Sequence, residues 1–224
     1  MRKIIFFMTL LAFASSCSKL QQKQLIPEMD DQTVKSSETT AYYWQHGEKI
    51  PLQKIGGKYH VAFYTLNENS LKAELAKINI ELINEKEIKE LSYYSIDMTG
   101  FEANVKKFTN YKTATIESNY RQIATIMDSA LYWSPYYRMT NGLEIGISNL
   151  FFVELKPDIT IEQLKQLAEK CSVDIIGADN SLKGWYYLAC TNSSKGNALE
   201  MANLFYESDL FLEACPDFFG AGSI

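Results

Sequence analysis

The sequence predicts an α+β protein built on antiparallel sheet, and three observations predict it. Short β-rich runs alternate with stretches whose apolar residues recur at helical spacing. In the second half these elements follow the order strand, helix, strand, strand, helix, strand, and the first half can be laid over the same order. Composition agrees, since 46% hydrophobic and 22% charged residues in a chain of 224 exclude a disordered or fibrous protein.

The second half reads most plainly. Asn149 to Lys156 (NLFFVELK) is β-rich and apolar on both faces. Thr160-Ile161-Glu162-Gln163 has the form of a capping box, and Ile161, Leu164, Ala168 and Cys171 then share one helix face. Val173 to Gly177 and Gly184 to Thr191 read as strands. Gly196 to Ser208 gives a second helix, with Ala198, Met201, Ala202 and Phe205 at i, i+3, i+4 and i+7, and Leu210 to Phe219 supplies the last strand. Two right-handed crossovers in this order generate a four-stranded antiparallel sheet with both helices on one face, the ferredoxin-like βαββαβ arrangement.

The first half follows the same plan. Lys58 to Tyr64 matches the first strand, Leu71, Leu75 and Ile78 mark a helix, and Ile80 to Ile83 a second strand. Thr113 to Glu117 reads as a third strand, and Ile123, Ile126, Met127 and Ala130 as a second helix face. Leu131 to Tyr137 then parallels Leu212 to Phe218, with Leu, a small residue, Pro and an aromatic in register. Asn84 to Lys112 is extra material, expected to hold one more helix capped at Thr99 with Glu102 three residues on. Two tandem copies, residues 42–140 and 141–224, are the preferred reading; a single α+β domain is the other.

The N-terminus reads as an address. Arg2 and Lys3 precede the apolar run Ile4 to Phe13, which ends in Ala14-Ser15-Ser16-Cys17. Small residues directly before a cysteine resemble the bacterial lipobox, in which the thiol is acylated and becomes the new N-terminus. Residues 1–16 are expected to be a lipoprotein signal peptide, with Cys17 the anchor to the bacterial cell envelope; ordinary secretion is the alternative. Residues 17–41, rich in Gln, Lys, Ser, Thr, Asp and Glu, read as a flexible tether.

Little chemistry is encoded. With 22 Lys and Arg against 27 Asp and Glu, no basic surplus exists for nucleic acid. No HExxH, CxxC pair, P-loop, G-x-S-x-G or dinucleotide glycine pattern occurs, so no catalytic role, cofactor or metal is expected. His46 reads as a turn residue and His60 as a strand residue among core positions. Beyond Cys17, Cys171, Cys190 and Cys215 read as small buried thiols, with a Cys171–Cys190 disulfide as the alternative in an oxidising compartment.

The stretches NLFFVELK, VDIIGADNS, GWYYLACT and above all GNALEMANLFYESDLFLEACPDFF resemble the propeptide of bacterial subtilisin-like serine proteases. An opening like YYWQHGEKIPL, here Tyr42 to Leu52, also occurs in such proteins. The Asp, His-Gly-Thr-His and Gly-Thr-Ser motifs of the catalytic domain are absent from this sequence, which reads as a propeptide without its protease. The resemblance implies that the open sheet face docks on two surface helices of a protease. Strand alternation puts Phe152, Trp185 and Tyr187 on that face. It also implies that the segment after the last strand, Gly220, Ala221, Gly222, Ser223 and Ile224, lies in the protease cleft like a bound product. The leading expectation is thus a membrane-tethered inhibitor, or inhibitor and folding chaperone, of a subtilisin-like protease acting in trans. The alternatives are a surface lipoprotein that uses the same fold as a binding module, and the remnant of a protease that lost its catalytic part.

Overall fold

A strand that the sequence reading left unassigned, and an extension of the expected Lys58–Tyr64 strand back to Glu48, begin the fold. In the computed structural model, which describes residues 40–89 and 96–220, β1 (Thr40–Gln45) and β2 (Glu48–Tyr64) form a hairpin with Gln45 opposite Glu48. A two-residue turn of this kind needs left-handed backbone at both central positions, which His46 (φ 49°) and Gly47 (φ 82°) adopt. Thr40 and Ala41 therefore belong to a strand and not to the tether. Residues 1–39, including the expected signal peptide and Cys17, and residues 221–224 lie outside the described residues.

The first half continues with α1 (Glu68–Lys77), β3 (Ile83–Ile88), β4 (Ile96–Asp97), α2 (Glu102–Val105), β5 (Tyr111–Glu117), α3 (Tyr120–Ser129) and β6 (Tyr132–Arg138). The second comprises β7 (Glu144–Leu155), α4 (Ile161–Cys171), β8 (Asp174–Asp179), β9 (Trp185–Ala189), α5 (Ala198–Glu207) and β10 (Phe211–Gly220). The strands join one antiparallel ten-stranded sheet, ordered β3-β5-β2-β6-β7-β9-β8-β4, with β1 beside β2 and β10 beside β7. The fold is α+β, as expected, but its sheet is larger than a ferredoxin-like one.

Local signals formed the helices that the sequence marked. Thr160 and Gln163 make a reciprocal capping box at the start of α4, and Asn197 with Glu200 makes another at α5. Ser172, in left-handed conformation (φ 54°), ends α4. Thr99 does not cap α2. That helix is four residues long, its N-cap is Phe101, and the Thr99 amide instead donates to Asp97 Oδ1 at 2.9 Å. The second strand of the first half also starts later than expected. The Ile80 amide still donates to Leu75 O at 3.0 Å, holding the chain to the end of α1 before β3 begins at Ile83.

Strand alternation divides β2 between two cores. Tyr59, Val61 and Phe63 face α1 and α3, where they meet Leu75, Ile123 and Met127. His60 and Ala62 face the other way, towards the second half. The larger core spans both halves, combining Tyr43, Leu52, Phe108 and Tyr132 with Phe151, Val153, Leu164 and Phe205. Two strand pairings cross between the halves: Tyr137 and Arg138 of β6 with Ile145 and Glu144 of β7, and Ile96 and Asp97 of β4 with Asp179 and Ala178 of β8. The segment expected to add only a helix thus also closes the far edge of the second half.

The end of β10 fastens the seam between the halves. Phe219 lies opposite Gly146, and its ring occupies the space that a Cβ at position 146 would take. The same ring meets His60 edge-on at 4.8 Å and Tyr136 at 5.9 Å. Ser134 Oγ donates to Ile147 O at 2.7 Å nearby. Gly146→Ala should therefore destabilise the protein by about 1–3 kcal/mol through overpacking. Phe219→Ala should also destabilise it by loss of the ring contacts. Denaturant unfolding of the double variant should show a cost well below the sum of the two; strict additivity would mean that the two positions do not share this contact.

Candidate functional site

The aromatic residues expected to form a docking face do lie together. Phe152 of β7 is the direct cross-strand partner of Tyr187 of β9, and Trp185 is the partner of Glu154. Because adjacent residues alternate across the sheet, this side is opposite Phe151 and Leu188, both fully buried; Phe151 packs on Phe205 of α5 at 5.1 Å. The Phe152 and Tyr187 rings meet edge-on at 5.0 Å. Tyr187 Oη donates to Asp179 Oδ2 at 2.6 Å, and Asp179 Oδ1 accepts from the amides of Ser181 and Leu182. All three aromatics are half-buried, with Cys215 of β10 opposite Phe152 on the other side. The face carries Glu154 beside the rings.

Only part of the open face is left uncovered. Leu150, two residues before Phe152 and so on the same side of β7, is 2% exposed because the first half covers the start of that strand. The β1–β2 hairpin covers a different region, the α5–β10 side. Trp44 stacks on Tyr206 at 4.9 Å, Tyr43 meets Phe218 at 5.0 Å, and Tyr42 Oη and Trp44 Nε1 both donate to Glu207 Oε1. Those donors, Tyr42 first, hold the Glu207 carboxyl below its usual value. Asn203 Nδ2 completes the grip by donating to Tyr42 O at 2.7 Å.

Of the expected tail, Gly220 is the last residue of β10, paired with Ile145. It belongs to the sheet and not to a free extension, and Ala221 to Ile224 lie outside the described residues. Cys171, Cys190 and Cys215 are free thiols, each raised above its usual pKa chiefly by burial, so no disulfide links Cys171 to Cys190 here. His46 is exposed and its Nδ1 lies 3.1 Å from Glu213 Oε1. Among the described residues no group of three or more His, Cys, Asp or Glu could hold a metal ion, and no helix is long and apolar enough to cross a membrane.

A polar seam was not legible in the sequence. The buried polar residues His60, Thr115, Ser134 and Asn149 lie at or beside the junction of the halves. Thr115 Oγ1 is 2.9 Å from Tyr136 Oη, and Ser148 Oγ donates to Asp217 Oδ2 at 2.7 Å. Burial lowers the His60 pKa to about 4 and raises the Asp217 carboxyl; burial, then the Asp217 charge, raises Tyr111 to about 12. Only the alternation that aims His60 away from α1 and α3 could have signalled this cluster, since its partners are about 50 to 160 positions distant in sequence.

The chain was compared with protein-family models and with curated proteins, and neither comparison gave a match.

The seam has a pH signature. A histidine held neutral by burial contributes stability that is complete above its unfolded value of 6.5 and is lost as the pH falls towards its folded value of about 4. That loss amounts to at most roughly 3 kcal/mol. Asp217 acts oppositely, its raised carboxyl favouring the fold at low pH and ceasing to do so as the pH rises through its folded pKa. Thermal unfolding should therefore shift to lower temperature from pH 6.5 to pH 4, and His60→Leu should flatten that slope. An unchanged slope in the variant would remove His60 as its cause.

Proposed function

We propose that the chain is a membrane-tethered, propeptide-like inhibitor, or inhibitor and folding chaperone, of a subtilisin-like serine protease acting in trans. The anchor in this reading is an acylated Cys17, which places the protein at the bacterial cell envelope. The finer reading of the fold is two tandem ferredoxin-like units. It is supported by a repeated strand order: β3-β5-β2-β6 in the first half corresponds position for position to β8-β9-β7-β10 in the second. In each half a helix links the first strand to the second, and another links the third to the fourth.

The observation that carries the functional reading is the half-exposed trio Phe152, Trp185 and Tyr187 on the sheet side opposite α5. Large aromatics on a rigid sheet are suited to anchor a protein partner, because they bury much area and lose little side-chain freedom. β10 then delivers the residues after Gly220 as the segment that would occupy the protease cleft. In this role the chain binds and does not catalyse.

A second reading, a lipid-anchored binding module, is favoured by a different observation. The first half already covers the Leu150 end of the same sheet face, so less of it is open to a protease than in a free four-stranded sheet.

Inhibition kinetics separate the two. The protein should slow a subtilisin-like protease from the same organism competitively. Trp185→Ala and Tyr187→Ala should each weaken inhibition by about 1–3 kcal/mol, mainly through faster dissociation. Deleting residues 221–224, beyond the last sheet residue, should weaken it strongly while leaving thermal unfolding unchanged. Full inhibition by the shortened chain would refute product-like binding, and no binding to any such protease would leave the second reading.

A further inference from the structure

Where the His60 side of the first half meets β7 and β10, the two halves line a partly open cavity of about 170 Å3. Its wall from the first half includes Lys86 and Tyr111, its wall from the second Asn149 and Asp217, and Leu150 and Phe219 make it partly apolar. Three features are unusual together. The half-buried Asp217 carboxyl has the Ser148 hydroxyl as partner but no ion pair with a described cation. Lys86 enters the same space from β3, likewise without an ion pair to a described residue. Asn149, 4% exposed, leaves its Nδ2 with no hydrogen-bond partner, a state proteins rarely keep in their interior.

A carboxylate and an ammonium that border one cavity without neutralising each other call for a ligand with the opposite charge at each end. We propose that this cavity binds a small α-amino acid in its zwitterionic form. The ligand ammonium goes to Asp217, beside the Tyr111 and Phe219 rings, where aromatic faces favour a cation. The ligand carboxylate goes to Lys86 and the Asn149 amide as charge-assisted hydrogen bonds. The pocket has room for about five or six waters at ~30 Å3 each, which suits a small ligand such as glycine, alanine or serine. The site shares no residue with Phe152, Trp185 and Tyr187, so it does not rest on the inhibitor reading, and failure of either leaves the other standing.

Calorimetric titration of the full chain with L-alanine tests it, beside propylamine, which carries only the ammonium, and propionate, which carries only the carboxylate. L-Alanine should bind saturably, and each half-ligand should bind at least about tenfold more weakly, for want of one charge-assisted contact. Asp217→Asn should abolish binding. Lys86→Ala, at an exposed position that leaves the core intact, should weaken it about tenfold. No heat of binding with L-alanine, glycine or L-serine would overturn the proposal. So would equal affinity for propylamine and L-alanine, or unaltered binding in a folded Asp217→Asn chain. Should Asp217→Asn not fold, unaltered affinity in Lys86→Ala overturns it.

Discussion

The packing of Phe219 over Gly146 is the contact that fixes the seam along which the two halves share one core. A strand residue with no Cβ leaves a slot in β7, and the ring of the last strand fills it while its edges touch His60 and Tyr136 of the first half. Two paired residues from β6 and β7 would make a weak junction by themselves. With Phe219 in place, the open side of the first half and the start of β7 become a shared interior. The buried polar groups there follow from the same arrangement: a sheet side that would have met water is enclosed, and its Thr115, Ser134 and His60 must find partners or remain neutral.

This enclosure decides what remains available for recognition. The first half covers one end of the second half's open face, the β1–β2 hairpin wraps the α5–β10 side, and β4 lies along β8. What stays half-exposed on the sheet is the Phe152, Tyr187 and Trp185 group with Glu154. The same enclosure leaves the pocket at the seam bordered by both halves.

The sequence made legible what neighbouring residues decide. The capping residues Thr160 and Asn197, the helix faces after them and the strand alternation that puts Phe152 and Tyr187 on one side are all local. The contribution of the 84–112 segment was not legible. The pattern Thr99 to Glu102 has capping-box form, yet only four helical residues follow, and the segment is held instead by β4 on β8 and by Lys107 on Asp174. The hairpin grip on Glu207 and the Ser148–Asp217 pair likewise join residues 165 and 69 positions apart, and no window of sequence contains both partners. The extent of the aromatic face lies between these cases: alternation chose its side, but packing against the first half set how much of it stays open.

The central claim is that this remaining aromatic face is where a subtilisin-like protease binds. Hydroxyl-radical footprinting of the full chain, alone and with such a protease from the same organism, tests it most directly, because side-chain oxidation reports solvent access residue by residue. The account predicts that Phe152, Trp185 and Tyr187 lose reactivity together in the complex while the exposed Tyr64 and Tyr120 of the first half keep theirs. Unchanged oxidation of the three aromatics in a demonstrably bound complex would contradict it.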